Sequence, residues 1–181
     1  RELLNTIVFA GAVTIISVFF DSLAAYGLSR VDFKGRGILL AVLIATMMIP
    51  AMALLIPVYK LLGSMGLVNS YLGIIIPRMA DVGGIFLLRQ FFISIPKDLD
   101  NAARIDGAGE WRTLIQIVLP LAVPGLATVA LFAAISIWNN FFNCMLLVDE
   151  AKYYNLQYTI YQTLNNIRFL REMASQVGAL A

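Results

Sequence analysis

The chain has 181 residues, of which 60% are hydrophobic and only 13% charged, against roughly a quarter charged in an ordinary soluble domain. Its net charge is +2 and no stretch is rich in lysine and arginine, so composition argues against a nucleic-acid-binding protein. One cysteine, Cys144, and no histidine exclude an internal disulfide, a Cys/His zinc site and histidine-based catalysis; Cys144 reads as a small packing residue.

The apolar residues fall in blocks of about twenty or more, the length that crosses a ~30 Å hydrocarbon core at 1.5 Å per residue. The first block covers about 6–28, too long for the apolar part of a signal peptide, and the hydrophilic turn Ser29 to Gly37 closes it. The second, about 38–59, holds Pro50 and Pro57, which are expected to kink it. The third, about 71–95, is interrupted by Pro77, Arg78, Asp81 and Gly83-Gly84, so its middle is not expected to face lipid. A polar segment over about 96–112 leads to the fourth block, about 114–138, which carries Pro120 and Pro124; another polar segment fills about 139–175. Strands of a membrane barrel would run about ten residues with alternating polarity, which these blocks do not. The expected fold class is therefore an all-α membrane protein, a polytopic helical bundle. The opening at Arg1 and the apolar end Gly178 to Ala181 read as a fragment lacking flanking spans.

Short basic loops stay in the cytoplasm. Arg30, Lys34 and Arg36 flank one turn, and Arg89, Lys97, Arg104 and Arg112 cluster around a later one two spans on, whereas the turn between has only Lys60. Segment 96–112 is thus expected on the cytoplasmic side and 139–175 outside. The latter, with Tyr153, Tyr154, Tyr158, Tyr161 and Arg168, reads either as a solvated loop or as a surface for an external protein.

Within 96–112, Pro96 suits a first helical turn, Asp98 and Asp100 suit the positive end of a helix dipole, and Gly107 can end the helix with a positive φ. Leu99, Ala102, Ala103 and Asp106 recur at helical spacing, which places the two alanines on a narrow face that lets another surface come close. Asp106 suits a local cap or pair. From the residues alone, this is equally a docking element for a cytoplasmic partner or a well-formed loop between spans.

Asn101-Ala102-Ala103, three residues, Gly107, nine residues, Ile117 and then Leu119-Pro120 resemble the EAA loop of ABC importer permeases. Ala25-Tyr26, Phe33 to Arg36, Ile49-Pro50, Ile56-Pro57, Ile95-Pro96, Ala103 to Ala108 and Trp138-Asn139 extend the likeness to the carbohydrate-uptake branch, in particular to the smaller maltose-transporter permease. The resemblance implies a type I importer permease in a prokaryotic inner membrane, with a cytoplasmic coupling helix. It implies partnership with a second permease, two ATPase subunits and an extracytoplasmic solute-binding protein. Docking to the ATPase would fall on Asp98, Asn101, Ala102, Ala103, Asp106, Gly107 and Ala108. Two positions depart from the family pattern: Asn101 stands where glutamate is usual, leaving Asp98 or Asp100 to replace the anionic contact, and Asn140 replaces the glutamate of a Trp-Asn-Glu-Phe pattern.

The sequence has no G-x-x-x-x-G-K-[ST] phosphate loop, so ATP and Mg are expected in partner subunits and this chain is not expected to be an enzyme. For the solute path the candidates are Arg78, Asp81, Trp138, Asn139 and Asn140. Arg78 and Asp81, three apart, suit a mutual structural pair, or else Arg78 attracts an acidic sugar by bidentate contact with carboxylate. Trp138 suits an interfacial anchor, and the amides beside it suit sugar hydroxyls. The alternatives are a permease for a non-sugar solute and an ion-coupled secondary transporter, which also has broken helices but no need of the loop at this spacing.

Overall fold

In the computed structural model, which describes residues 1–179, helix α1 (Glu2–Arg30) is the axis of the molecule. It contains no proline, and among the described residues it is the one helix that is long and apolar enough to cross a membrane alone. The other three hydrophobic blocks are broken, and each reaches spanning length only as two arms taken together.

In the second block, α2 (Arg36–Thr46) meets a 3₁₀ turn at Ala51–Leu54 and α3 (Leu55–Ser64) at 93°. Sequence reading put kinks at both prolines. Pro50 does stand at the break, but Pro57 lies in the first turn of α3, where a missing N–H costs nothing. In the third, α4 (Tyr71–Ile75) continues through a 3₁₀ turn holding Pro77 and then bends 44° into α5 (Val82–Ser94). Two side chains start these arms: Ser70 accepts the Gly73 N–H and Asp81 accepts the Gly84 N–H, each three residues on, as helix N-caps do. After α6 (Lys97–Ile105), the fourth block comprises α7 (Glu110–Thr113), a π-turn over Leu114–Val118 and α8 (Leu119–Leu121), then turns 80° at Ala122 into α9 (Val123–Trp138).

The segment after Trp138, read from sequence as polar and without assigned structure, is largely helical: α10 (Phe142–Leu147), a short 3₁₀ turn and the long α11 (Leu156–Ala179). Asn155 caps α11 by accepting the Tyr158 N–H, and Leu156, Ile160, Leu164 and Ile167 keep helical spacing beneath a polar composition.

α1 packs mainly against α5 and α9. Two glycines permit the close approach of these helices, Gly125 that of α9 to α5 and Gly84 that of α5 to both α1 and α9. A Cβ on Gly125 would stand 2.5 Å from Phe91 Cγ, and one on Gly84 would meet Asp21 and Val129 of the two neighbouring helices. The core is divided. One cluster, around Tyr26, Leu28, Leu88, Phe92 and Val118, lies at the basic end of α1; the other, around Phe9, Val13, Ile75, Ile137 and Cys144, lies at the opposite end. At that opposite end Asn5 donates to the carbonyls of Lys152 and Tyr154 and accepts from Tyr71 Oη, all at 2.9 Å, tying α1 to the segment before α11. Cys144 is buried in this cluster, and burial pushes its thiol above the usual range, so it is held as the neutral packing residue expected from sequence.

Candidate functional site

A cavity of about 520 Å³ opens between the two core clusters. Its polar lining comprises Ser17 and Asp21 of α1, Arg78 and Asp81 at the break before α5, Ser136 of α9 and Asn143 of α10, with Leu54, Val129 and Phe132 among the apolar wall residues. The broken third block places these groups here. Asp21, with no measurable exposure, accepts the Asp81 N–H at 2.9 Å through Oδ1 and the Ser17 hydroxyl at 2.9 Å through Oδ2. It thereby satisfies a backbone N–H freed by the break, as non-helical backbone at membrane depth requires.

The Arg78–Asp81 pair expected from spacing is absent. Asp81 spends a carboxylate oxygen on the Gly84 N–H at 2.8 Å, because it stands just before α5, where capping competes for it. Arg78 is half-buried beside the cavity and forms no ion pair among the described residues. Trp138, Asn139 and Asn140 do not line the cavity. Asn139 bonds back to the Ile135 carbonyl, and Asn140, just before α10, accepts the Asn143 N–H at 2.9 Å, so both amides serve local structure.

At the basic end, α6 ends as Gly107 predicts. Its φ is +78°, the Ala108 N–H reaches Ala103 O at 2.9 Å and the Gly107 N–H reaches Arg104 O at 3.1 Å, a Schellman closure. The narrow face of two alanines does not form, since residues 102 and 103 point about 100° apart on a helix. Ala103 is buried with Asp100 on the side facing the body, while Asp98, Asn101, Ala102, Ile105 and Asp106 are exposed and Ala108 is half-buried. Ile105 is 87% exposed, an apolar side chain absent from the sequence-derived candidates. Asp100 is also out of reach of an external partner: its carboxylate meets Arg30 Nη1 at 2.7 Å. Of the two acids able to replace the usual glutamate, that leaves Asp98. Asp106 occupies the helix C-cap, with no side-chain hydrogen bond among the described residues.

Residues 17–169 match the family described as binding-protein-dependent transport system inner membrane component. The chain belongs to this family. Similar proteins include the arabinooligosaccharides transport system permease protein AraQ of Bacillus subtilis, 31% identical over 152 residues, or 84% of this chain and 54% of that one. The trehalose/maltose transport system permease protein MalG of Thermococcus litoralis is 37% identical over 150 residues, 82% of this chain and 54% of that one. Among solved structures, a bacterial ABC transporter involved in import of the acidic polysaccharide alginate superposes with a TM-score of 0.86 at 30% identity, covering 96% of this chain and 63% of that chain. The chain thus spans about half the length of the curated relatives it matches. The helices are those of a type I importer permease, and the family is one of transport components of the inner membrane.

Proposed function

We propose that this chain is the permease subunit of an ATP-binding-cassette importer for a sugar or oligosaccharide. With a second permease it forms the transmembrane pathway, which accepts solute from an extracytoplasmic binding protein and is driven by two cytoplasmic ATPase subunits that hold ATP and Mg. The observation that carries this reading is α6: a short, strongly amphipathic helix with an exposed face, closed at Gly107 and connected through α1 to a polar cavity within the bundle. The exposed residues Asp98, Asn101, Ala102 and Ile105 are the docking surface, while Ala103 and Gly107 set the position and end of the helix. Asp98 supplies the anionic contact in place of the absent glutamate. The copurified assembly tests this. An importer brings down ATPase subunits and a second permease from detergent-solubilised membranes, and its uptake of labelled oligosaccharide needs ATP. Uptake without ATPase subunits that collapses with the proton gradient would identify a secondary transporter instead.

Arg78, Asp81 and Asp21 mark the solute path. Both carboxylates are engaged by N–H donors, whereas among the described residues the Arg78 guanidinium has no carboxylate partner. A guanidinium in a membrane cavity binds carboxylate through paired, charge-assisted hydrogen bonds. Arg78→Gln is therefore expected to lower uptake of an acidic oligosaccharide about tenfold or more, the equivalent of one such bond, while uptake of a neutral oligosaccharide stays within about twofold. Equal loss of both would remove Arg78 from solute recognition.

A further inference from the structure

α1, α5 and α6 converge on one buried side chain. Arg30, the last residue of α1, has only 2% of its side chain exposed. Its Nη1 meets Asp100 Oδ2 at 2.7 Å, and its Nη2 donates to the carbonyl oxygens of Phe92 and of Ile95, the latter at 2.7 Å, at the C-terminal end of α5. A guanidinium is a planar fork of fixed donors, so these contacts set orientation as well as distance; a lysine ammonium would swivel. Among the described residues, these contacts to Asp100, Phe92 and Ile95 are the ones the Arg30 guanidinium makes. A second strut runs beside it: Arg104 of α6 meets Glu110 Oε1 at 2.7 Å, and Tyr26 Oη of α1 donates to Glu110 Oε2 at 2.7 Å.

We infer that the Arg30–Asp100 pair is the rigid joint through which movement of the docking helix α6 reaches the wall of the solute cavity. This rests on the importer reading above and names positioning residues that α6 docking alone does not supply. The inward side of α6 carries Asp100 and Ala103, the outward side Asp98, Asn101, Ala102 and Ile105. A push on the outward side bears directly on the joint. From there α1 runs unbroken to Asp21, nine residues away and about 14 Å along a helix at 1.5 Å per residue. The other three hydrophobic blocks contain bends of 44° to 93° that can flex under load, whereas α1 has none. α1 is thus the straight member between docking surface and cavity, and Arg30 fastens it.

The test separates coupling from folding by replacing the pair with apolar groups, which leaves no buried charge stranded. In the complete reconstituted complex, Arg30→Met with Asp100→Leu is compared with wild type for subunit assembly, melting temperature and the ratio of ATP hydrolysis with binding protein and solute to hydrolysis without them. Asp100→Asn, which keeps an acceptor for Nη1 and removes the charge, is the second variant. The inference predicts that both complexes assemble and that the ratio falls at least fivefold in each, with the double variant melting within a few degrees of wild type and Asp100→Asn melting lower because the buried Arg30 charge loses its partner; Asp100→Glu restores most of the ratio. A ratio at the wild-type value in either assembled variant overturns the joint, as does a loss of ratio that follows melting temperature across all three variants. If wild type itself lacks ATPase subunits, the importer reading fails rather than the joint.

Discussion

Replacing Gly84 with leucine is expected to prevent α1, α5 and α9 from packing and to leave little assembled protein in the membrane. A Cβ at this position would overlap Asp21 Oδ2 and stand 3.2 Å from both Asp21 Cγ and Val129 Cγ1. Relief requires Asp21 to leave Ser17 and the Asp81 N–H, or α9 to move outward. The first strands a buried carboxylate and a backbone N–H; the second opens the core at the basic end. Overpacking of this kind costs about 1–3 kcal/mol for the smallest added group, so Gly84→Ala should lower the melting temperature by several degrees and Gly84→Leu by more. Thermal melting in detergent measures it. Gly37→Ala is the control: it adds a Cβ in open space on an exposed helix and should be neutral or slightly stabilising. Equal behaviour of Gly37→Ala and Gly84→Ala would contradict the packing described here.

The second large effect is expected at Ile105. It is 87% exposed on α6, and an apolar side chain so presented on an amphipathic helix suits insertion into a partner's pocket. Ile105→Asp should cost at least about 2 kcal/mol of docking, as loss of an interface anchor does, or roughly thirtyfold in affinity for the ATPase subunits. The chain itself should melt unchanged, because Ile105 touches no core. Ala103→Trp should do the opposite. Ala103 is buried against the body, so a large ring there displaces α6 and lowers the melting temperature before any partner is added. Measuring ATPase copurification and melting temperature for both variants separates the two faces; loss of docking with Ala103→Trp but not Ile105→Asp would reverse their assignment.

How much of this was legible beforehand depends on range. Local signals read well. The four apolar blocks, the break at Pro50, the interruption around Pro77 and Asp81, and the end of α6 at Gly107 follow from proline chemistry, capping and positive φ, each confined to a few residues. Other local signals were present but outweighed. Asp81 three residues before Gly84 is a capping pattern, yet its spacing from Arg78 suggested an ion pair; Asn155 and the 156/160/164/167 spacing announce α11, yet its polarity suggested loop. The two faces of α6 do not follow residue type: Ala102 and Ala103 are alike, and the position of Asp100 decides which side faces in. Long-range geometry was not legible. Arg30 and Asp100 are 70 residues apart, and Asp21 meets the Asp81 N–H across 60. Bends of 93° and 80° are set by what each arm packs against, which no single segment encodes.

The most direct test of the central claim, that α6 couples ATP hydrolysis to solute passage, is hydrolysis by the reconstituted complex with and without binding protein and oligosaccharide, comparing wild type with Gly107→Val. A β-branched residue is strained at φ +78°, so the Schellman closure opens and α6 loses its end while α1 and the cavity stay intact. The account predicts an assembled complex whose hydrolysis no longer rises when solute and binding protein are added. A variant stimulated as fully as wild type would show that the helix is a connecting loop and that energy enters the permease elsewhere.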